Sequence, residues 1–180
     1  MKFWDSSALV PLALRQPASD EVTAVIAGDS AIVLWWATLI ECQSALCRAV
    51  RDRRVSAAAY PAAREALGRL QGHAFEVQPS DAVRRRALRL LGVHDLRAAD
   101  SLQLAAALEW CEERTEGAGF VCLDGRLRRA AGREGFAVLP WSAEVHEPYD
   151  TSPPAGGTFT SGRDSRSGGR TLRRRRSAIG

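Results

Sequence analysis

Phe120-Val121-Cys122-Leu123-Asp124 is a short apolar run that stops on a carboxylate, and the chain opens on another of the same kind, Met1-Lys2-Phe3-Trp4-Asp5. Runs this short, without polar alternation, read as strands buried on both faces of a sheet. Similar runs lie at 31–35, 74–77 and 137–139, and the first two read as strands over 2–4 and 120–123. Between them the apolar spacing turns helical, over 6–14, 19–27, 37–53, 56–70, 80–91, 98–113 and 124–134. Strands alternating with helices imply an α/β domain with a mostly parallel sheet flanked by helices. In such sheets, sites form outside the carboxyl ends of the strands, where the strand order reverses. Asp5 and Asp124 each fall at such an end.

Two further acids lie in the helical segments. Glu41 belongs to the 37–53 pattern, whose apolar stripe is Leu39, Cys42, Leu46 and Val50. It sits off that stripe, in line with Ala45 and Arg48, and a solvated helix face would account for it. Asp100 shares a helix face with Leu104, Ala107 and Cys111. An acid on an apolar face is costly unless paired or bound to a cation, although a first-turn position also favours negative charge. Asp5 and Asp124 each have a plain alternative role as a helix N-cap, Asp124 through an Asp-Gly turn. No single acid decides the matter. Four carboxylates brought to one point would repel, and either raised pKa values or a divalent cation would relieve them. Hard oxygen ligands suit Mg²⁺ or Mn²⁺, and such a centre can hydrolyse a phosphodiester. Ser7, two residues past Asp5, is placed to hydrogen-bond that carboxylate or a bound water.

Composition narrows the alternatives. The 180 residues suffice for one domain, and 46% are hydrophobic. No stretch approaches the roughly 20 apolar residues of a membrane span. A charge follows the initiating Met at once, unlike a signal peptide, and the expected location is the cytoplasm. Cys42, Cys47, Cys111 and Cys122 form no CxxC pair and have no histidine cluster beside them, so they read as reduced apolar fillers rather than zinc ligands. His73, His94 and His146 are scattered. Trp35 and Trp36 read as core and helix start. Arg84-Arg85-Arg86 and Arg128-Arg129 read as solvated faces able to meet phosphates. The net charge of +4 is divided unevenly: residues 151–180 carry seven arginines and one acid, whereas residues 1–150 carry 18 basic and 20 acidic residues. The domain is therefore expected over 1–147, followed by a disordered Arg/Gly/Ser-rich tail over 148–180.

Four segments in order carry a family resemblance: Phe3-Trp4-Asp5-Ser6-Ser7-Ala8-Leu9-Val10, Leu39-Ile40-Glu41-Cys42-Gln43-Ser44-Ala45-Leu46, Leu96-Arg97-Ala98-Ala99-Asp100-Ser101-Leu102-Gln103-Leu104-Ala105 and Phe120-Val121-Cys122-Leu123-Asp124-Gly125-Arg126-Leu127. The chain resembles PIN-domain ribonucleases of the VapC type, the toxins of type II toxin–antitoxin pairs, over about residues 1–145. The resemblance implies a five-stranded parallel sheet and a Mg²⁺- or Mn²⁺-dependent endoribonuclease. By match of motif, Asp5, Glu41, Asp100 and Asp124 take the metal-binding, catalytic positions, with Ser7 in support. It also implies an RNA substrate, a cognate antitoxin protein and a homodimer. Two features depart from the pattern: Gly125 and Arg126 follow Asp124 where some relatives carry a further acid, and the Arg-rich tail is extra.

Other classes fit less well. A catalytically inactive PIN-like module that only binds a protein partner would be expected to have lost an acid, and all four are present. A receiver domain needs paired acids after its first strand and a late lysine, but Lys2 is the only lysine. A haloacid-type hydrolase needs Asp-x-Asp where this chain has Asp5-Ser6-Ser7.

Overall fold

The computed structural model describes residues 1–141, and these contain five strands and seven helices. The strands are β1 (Lys2–Trp4), β2 (Ile32–Trp35), β3 (Phe75–Val77), β4 (Gly119–Val121) and β5 (Ala137–Leu139). They form one sheet in the order β3-β2-β1-β4-β5, with every pairing parallel. The helices are α1 (Ser6–Ala13), α2 (Ser19–Gly28), α3 (Thr38–Arg51), α4 (Tyr60–Gly72), α5 (Asp81–Val93), α6 (Ala98–Trp110) and α7 (Gly125–Arg133). The α/β architecture expected from the sequence is the one found. The Arg-rich tail and His146 lie outside the described residues. Among the described residues no helix is long and apolar enough to cross a membrane.

Strand side chains alternate between the two faces of a sheet, and here both faces are buried. Phe3, Val33, Trp35, Val77, Phe120 and Cys122 point to one side and pack with residues of α5, α6 and α7. Trp4, Ile32, Leu34 and Val121 point to the other and pack with residues of α1 to α4. Double burial explains why the strands read as unbroken apolar runs. Phe3 lies opposite Phe120 in the β1–β4 register, and their rings stack at 5.4 Å, with Phe136 tilted against Phe120 at 5.5 Å. Most of the α3 and α4 stripes lie in this core: Cys42, Leu46, Ala63 and Leu67 are buried there.

Element ends shift where local chemistry intervenes. The 56–70 pattern begins as helix only at Tyr60, because Ser56 first organises a separate turn, its hydroxyl accepting from the Ala59 N–H. Pro61 then fits the first helical turn, where a missing N–H costs nothing. The 98–113 pattern stops at Trp110, with Glu112 and Glu113 in the left-handed region at φ 50° and 62°.

The topology prepares the site. From β1 the chain steps outward to β2 and β3, then returns past β1 to build β4 and β5 on the other side. The order therefore reverses between β1 and β4, and their carboxyl ends flank the crevice where parallel α/β sheets bind ligands.

Candidate active site

Asp5 follows β1 directly, and its backbone N–H donates to the Val121 carbonyl at the end of β4, so both sides of the switch point are tied at this residue. The Asp5 side chain caps α1: Oδ2 accepts from the Ser7 N–H at 2.9 Å and from the Ser7 hydroxyl. The Ser7 hydroxyl oxygen accepts in turn from the Leu123 N–H at 2.9 Å. Ser7 thus locks the start of α1 to the segment leading to Asp124, the N-cap of α7, whose Oδ1 accepts from the Leu127 N–H at 2.9 Å. Asp100, in the first turn of α6, accepts through Oδ2 from the Arg97 N–H at 3.3 Å. Glu41, in the first turn of α3, accepts through Oε2 from the Gln103 amide at 2.8 Å and also bonds the Ser6 side chain.

Four helix N-termini therefore present acids toward one region, and their positive dipole ends partly offset the gathered negative charge. The electrostatics show that the four groups are close. Burial raises the Asp5 carboxyl to about 6 against the pull of its Ser7 bonds, with Asp100 and Asp124 adding repulsion. Burial, reinforced by Asp5 and Asp100, raises Glu41 to about 7. Asp100 is also raised, by burial first and by Asp124 second, while Arg126 and Arg97 pull it down. Asp5 is 3% exposed, so its charged form has lost nearly all contact with water. The sequence pattern alone puts Glu41 on a solvated face. The structure turns it inward, toward Asp5 and Gln103.

Both Ser7 bonds to Asp5 fall on Oδ2, the Leu127 bond to Asp124 on Oδ1 and the Arg97 backbone bond to Asp100 on Oδ2. Among the described residues, however, no three His, Cys, Asp or Glu groups stand close enough to close on one ion. Asp5, Asp100 and Asp124 are turned toward their own helix N-termini, and Glu41 toward Gln103. The donor set itself is carboxylate oxygen backed by Ser7, which suits a hard divalent cation. Burial first and mutual repulsion second raise three of the four proton affinities, and a cation would relieve the repulsive part. The donor chemistry fits such a cation.

Several residues of this region escape sequence reasoning. Cys122 is fully buried, its sulfur 3.6 Å from the Ser7 hydroxyl and 3.7 Å from Asp5 Oδ2, and burial raises its thiol well above the ordinary range, so it acts as a packed neutral neighbour. Arg128 is not a solvated cation. Its guanidinium donates to the carbonyls of Cys122 (2.6 Å), Leu139 (3.0 Å) and Pro140 (2.8 Å), clasping the ends of β4 and β5. Arg86 likewise leaves the solvent face to bridge α5 to Glu109 and Glu113. Arg84 and Arg85 are exposed, as expected. Trp35 is core, while Trp36 is 48% exposed just before α3. His94 pairs with Glu134 at 2.7 Å, well away from any metal-ligand cluster.

The domain is thus a parallel α/β sheet with acids gathered at its β1/β4 switch point. The family model for the PIN domain matches residues 2–133, and the chain belongs to that family. Solved structures share the fold. VapC20 of Mycobacterium tuberculosis, a sarcin–ricin loop cleaving toxin, is 18% identical at a TM-score of 0.55, with 82% of this chain and 100% of that one covered. FitAcB of Neisseria gonorrhoeae is 16% identical at a TM-score of 0.55, covering 78% and 97%. FitAB bound to an IR36 DNA fragment is 15% identical at a TM-score of 0.53, covering 77% and 94%. At such identities the likeness speaks for the fold alone. A comparison with curated proteins gives no match.

Proposed function

We propose that this protein is a divalent-metal-dependent endoribonuclease of the VapC type, acting as the toxin of a toxin–antitoxin pair. The observation that carries the reading is the convergence of Asp5, Glu41, Asp100 and Asp124 from four separate elements, with burial and mutual repulsion raising three of them. A fold that merely needed helix caps would leave each carboxylate in water beside its own helix. Membership of the PIN family supports a nuclease, and VapC20 supplies a relative in fold that is an RNA-cleaving toxin.

In this reading Asp5 and Asp100 hold Mg²⁺ or Mn²⁺ directly, and Glu41 and Asp124 complete the ring directly or through water. When bound, the ion would activate a water as nucleophile and neutralise charge gathering on the phosphate. Ser7 keeps the Asp5 carboxylate aimed at the crevice. Arg97 and Arg126, both near enough to act on Asp100, are placed to receive non-bridging phosphate oxygens. The helix N-termini of α1 and α7 favour the same anion. The partners in this reading are RNA, a separate antitoxin that covers the site, and a second copy of the chain.

The test is cleavage of total RNA by purified wild type beside Asp5→Asn and Asp100→Asn, with Mg²⁺, with Mn²⁺ and with EDTA. Metal-dependent cleavage that both substitutions abolish is expected. Cleavage that survives both would assign the activity to other residues or to a contaminant. Silence in every lane, from protein free of any co-purified partner, would favour the inactive protein-binding module.

A further inference from the structure

Gln103 is 0% exposed, on the buried face of α6. From 101 to 108 that helix is otherwise apolar except for Ser101, whose hydroxyl donates locally to the Ala98 carbonyl at 2.8 Å. Gln103 is therefore the one polar side chain of this stretch that reaches another element. Its Nε2 donates to Glu41 Oε2 at 2.8 Å. A carboxylate only accepts, so this bond fixes which end of the amide faces Glu41. Thr38, equally buried, sets the same amide from the other side, its hydroxyl 3.2 Å from Nε2 and 3.3 Å from Oε1. Thr38 and Glu41 lie on the first turn of α3, three residues apart, so they share the helix face that meets α6. A leucine of similar size would fill the place of Gln103 without needing partners. The amide instead spans α6 and α3 and ends on a carboxylate of the acidic cluster.

We propose that Gln103 is a positioning residue: it presets the Glu41 carboxylate for a divalent cation by occupying Oε2, and Thr38 holds its amide in the required orientation. The inference rests on the metal-nuclease reading above. Without the amide, Glu41 keeps its Ser6 bond but loses the one that ties it to α6, and the cation loses a pre-aimed ligand. Partners that orient ligands commonly change metal affinity by about 10–100-fold.

The experiment measures Mn²⁺ binding to the full-length protein by calorimetry and by electron paramagnetic resonance of the free ion. Wild type is compared with Gln103→Leu, Thr38→Val and Asp100→Asn, and melting temperatures are taken in EDTA. Gln103→Leu is expected to weaken Mn²⁺ binding about tenfold or more. Cleavage by this variant is expected to need correspondingly more Mn²⁺ yet approach the wild-type rate at saturation. Thr38→Val is expected to weaken binding in the same direction but less. A purely packing role would move the melting temperature and leave the dissociation constant alone. Wild-type Mn²⁺ affinity in folded Gln103→Leu overturns the inference. If that variant does not fold, wild-type affinity in Thr38→Val overturns it. Undiminished binding by Asp100→Asn, or none by wild type, sinks the metal-site reading itself and this inference with it. Loss in Asp100→Asn with retention in Gln103→Leu sinks only the role of Gln103.

Discussion

Asp5→Asn is expected to make the metal-free protein more stable near neutral and alkaline pH, although it removes a group of the candidate site. Burial raises the Asp5 carboxyl from 3.8 to about 6, so the folded state binds a proton more tightly than the unfolded chain does. Stability linked to this group is full below about pH 4 and is lost as pH rises through about 6; above that the folded protein bears a desolvated charge. At about 1.4 kcal/mol per pKa unit, the burden comes to roughly 3 kcal/mol. Asparagine keeps the size and an oxygen acceptor for the Ser7 N–H and hydroxyl, whose help to the charged form is already included in the raised value, but brings a buried amide N–H group whose desolvation costs about 1 kcal/mol. It also removes the repulsion from Asp5 that helps to raise Glu41. The net gain is about 2 kcal/mol, or roughly 4–8 °C in melting temperature for a chain of this size. The assay is thermal unfolding of wild type and variant in EDTA across the range from about pH 4.5 to 8.5. The gap should open as pH rises and close on the acid side, and millimolar Mg²⁺ should narrow it by stabilising wild type alone. A variant less stable than wild type at about pH 8 in EDTA, or a gap that ignores pH, would refute the reasoning.

Three other outcomes are expected. Saturating Mg²⁺ or Mn²⁺ should raise the wild-type melting temperature, with about 2.7 kcal/mol gained at a hundredfold excess over the dissociation constant; no shift at millimolar metal would count heavily against the site. Arg128→Met removes the guanidinium donor from the carbonyls of Cys122, Leu139 and Pro140, of which Leu139 keeps the Cys122 N–H, and should destabilise the protein by roughly 2 kcal/mol in urea unfolding. If Arg128 were the solvated cation that its sequence neighbourhood suggests, the change would be near zero. Removing residues 151–180, with their seven arginines, should leave cleavage intact while weakening RNA binding and flattening its salt dependence. Loss of cleavage at low salt would contradict this.

The strands could be read from sequence because each is buried on both faces: Phe3-Trp4 and Ile32-Val33-Leu34-Trp35 show apolar runs that few helices or loops would show. The placement of Asp5 and Asp124 followed, since an acid just past a parallel strand lies at the carboxyl edge by construction. Glu41 was harder. Its periodicity within α3 says only that it misses the main stripe, and whether the next face meets water or α6 depends on packing 62 residues away. Gln103 gave no sign for the same reason, and a buried amide in an apolar helix looks like any surface glutamine until its partner is known. Arg128 misled because a run of basic residues resembles a solvated face, while its clasp on three carbonyls exists only once β4 and β5 lie side by side. Closure of the four acids on an ion is a matter of side-chain rotamers, and neither spacing nor fold class determines it.

The central position of β1 has a consequence for how the chain is made. Lys2–Trp4 leave the ribosome before the other described strands, yet one of the two neighbours of β1 is β4, at Gly119–Val121. The first of the described strands thus waits with an open edge until some four-fifths of the described residues have emerged. Pairing across so long a span is slow compared with local structure. Asp124 arrives only after that strand has been laid in. A nascent or prematurely ended chain that stops before it holds three of the four acids but not the β1/β4 crevice they line, and so is inert in this reading. Such a topology ties the appearance of activity, in this reading, to completion of the described domain.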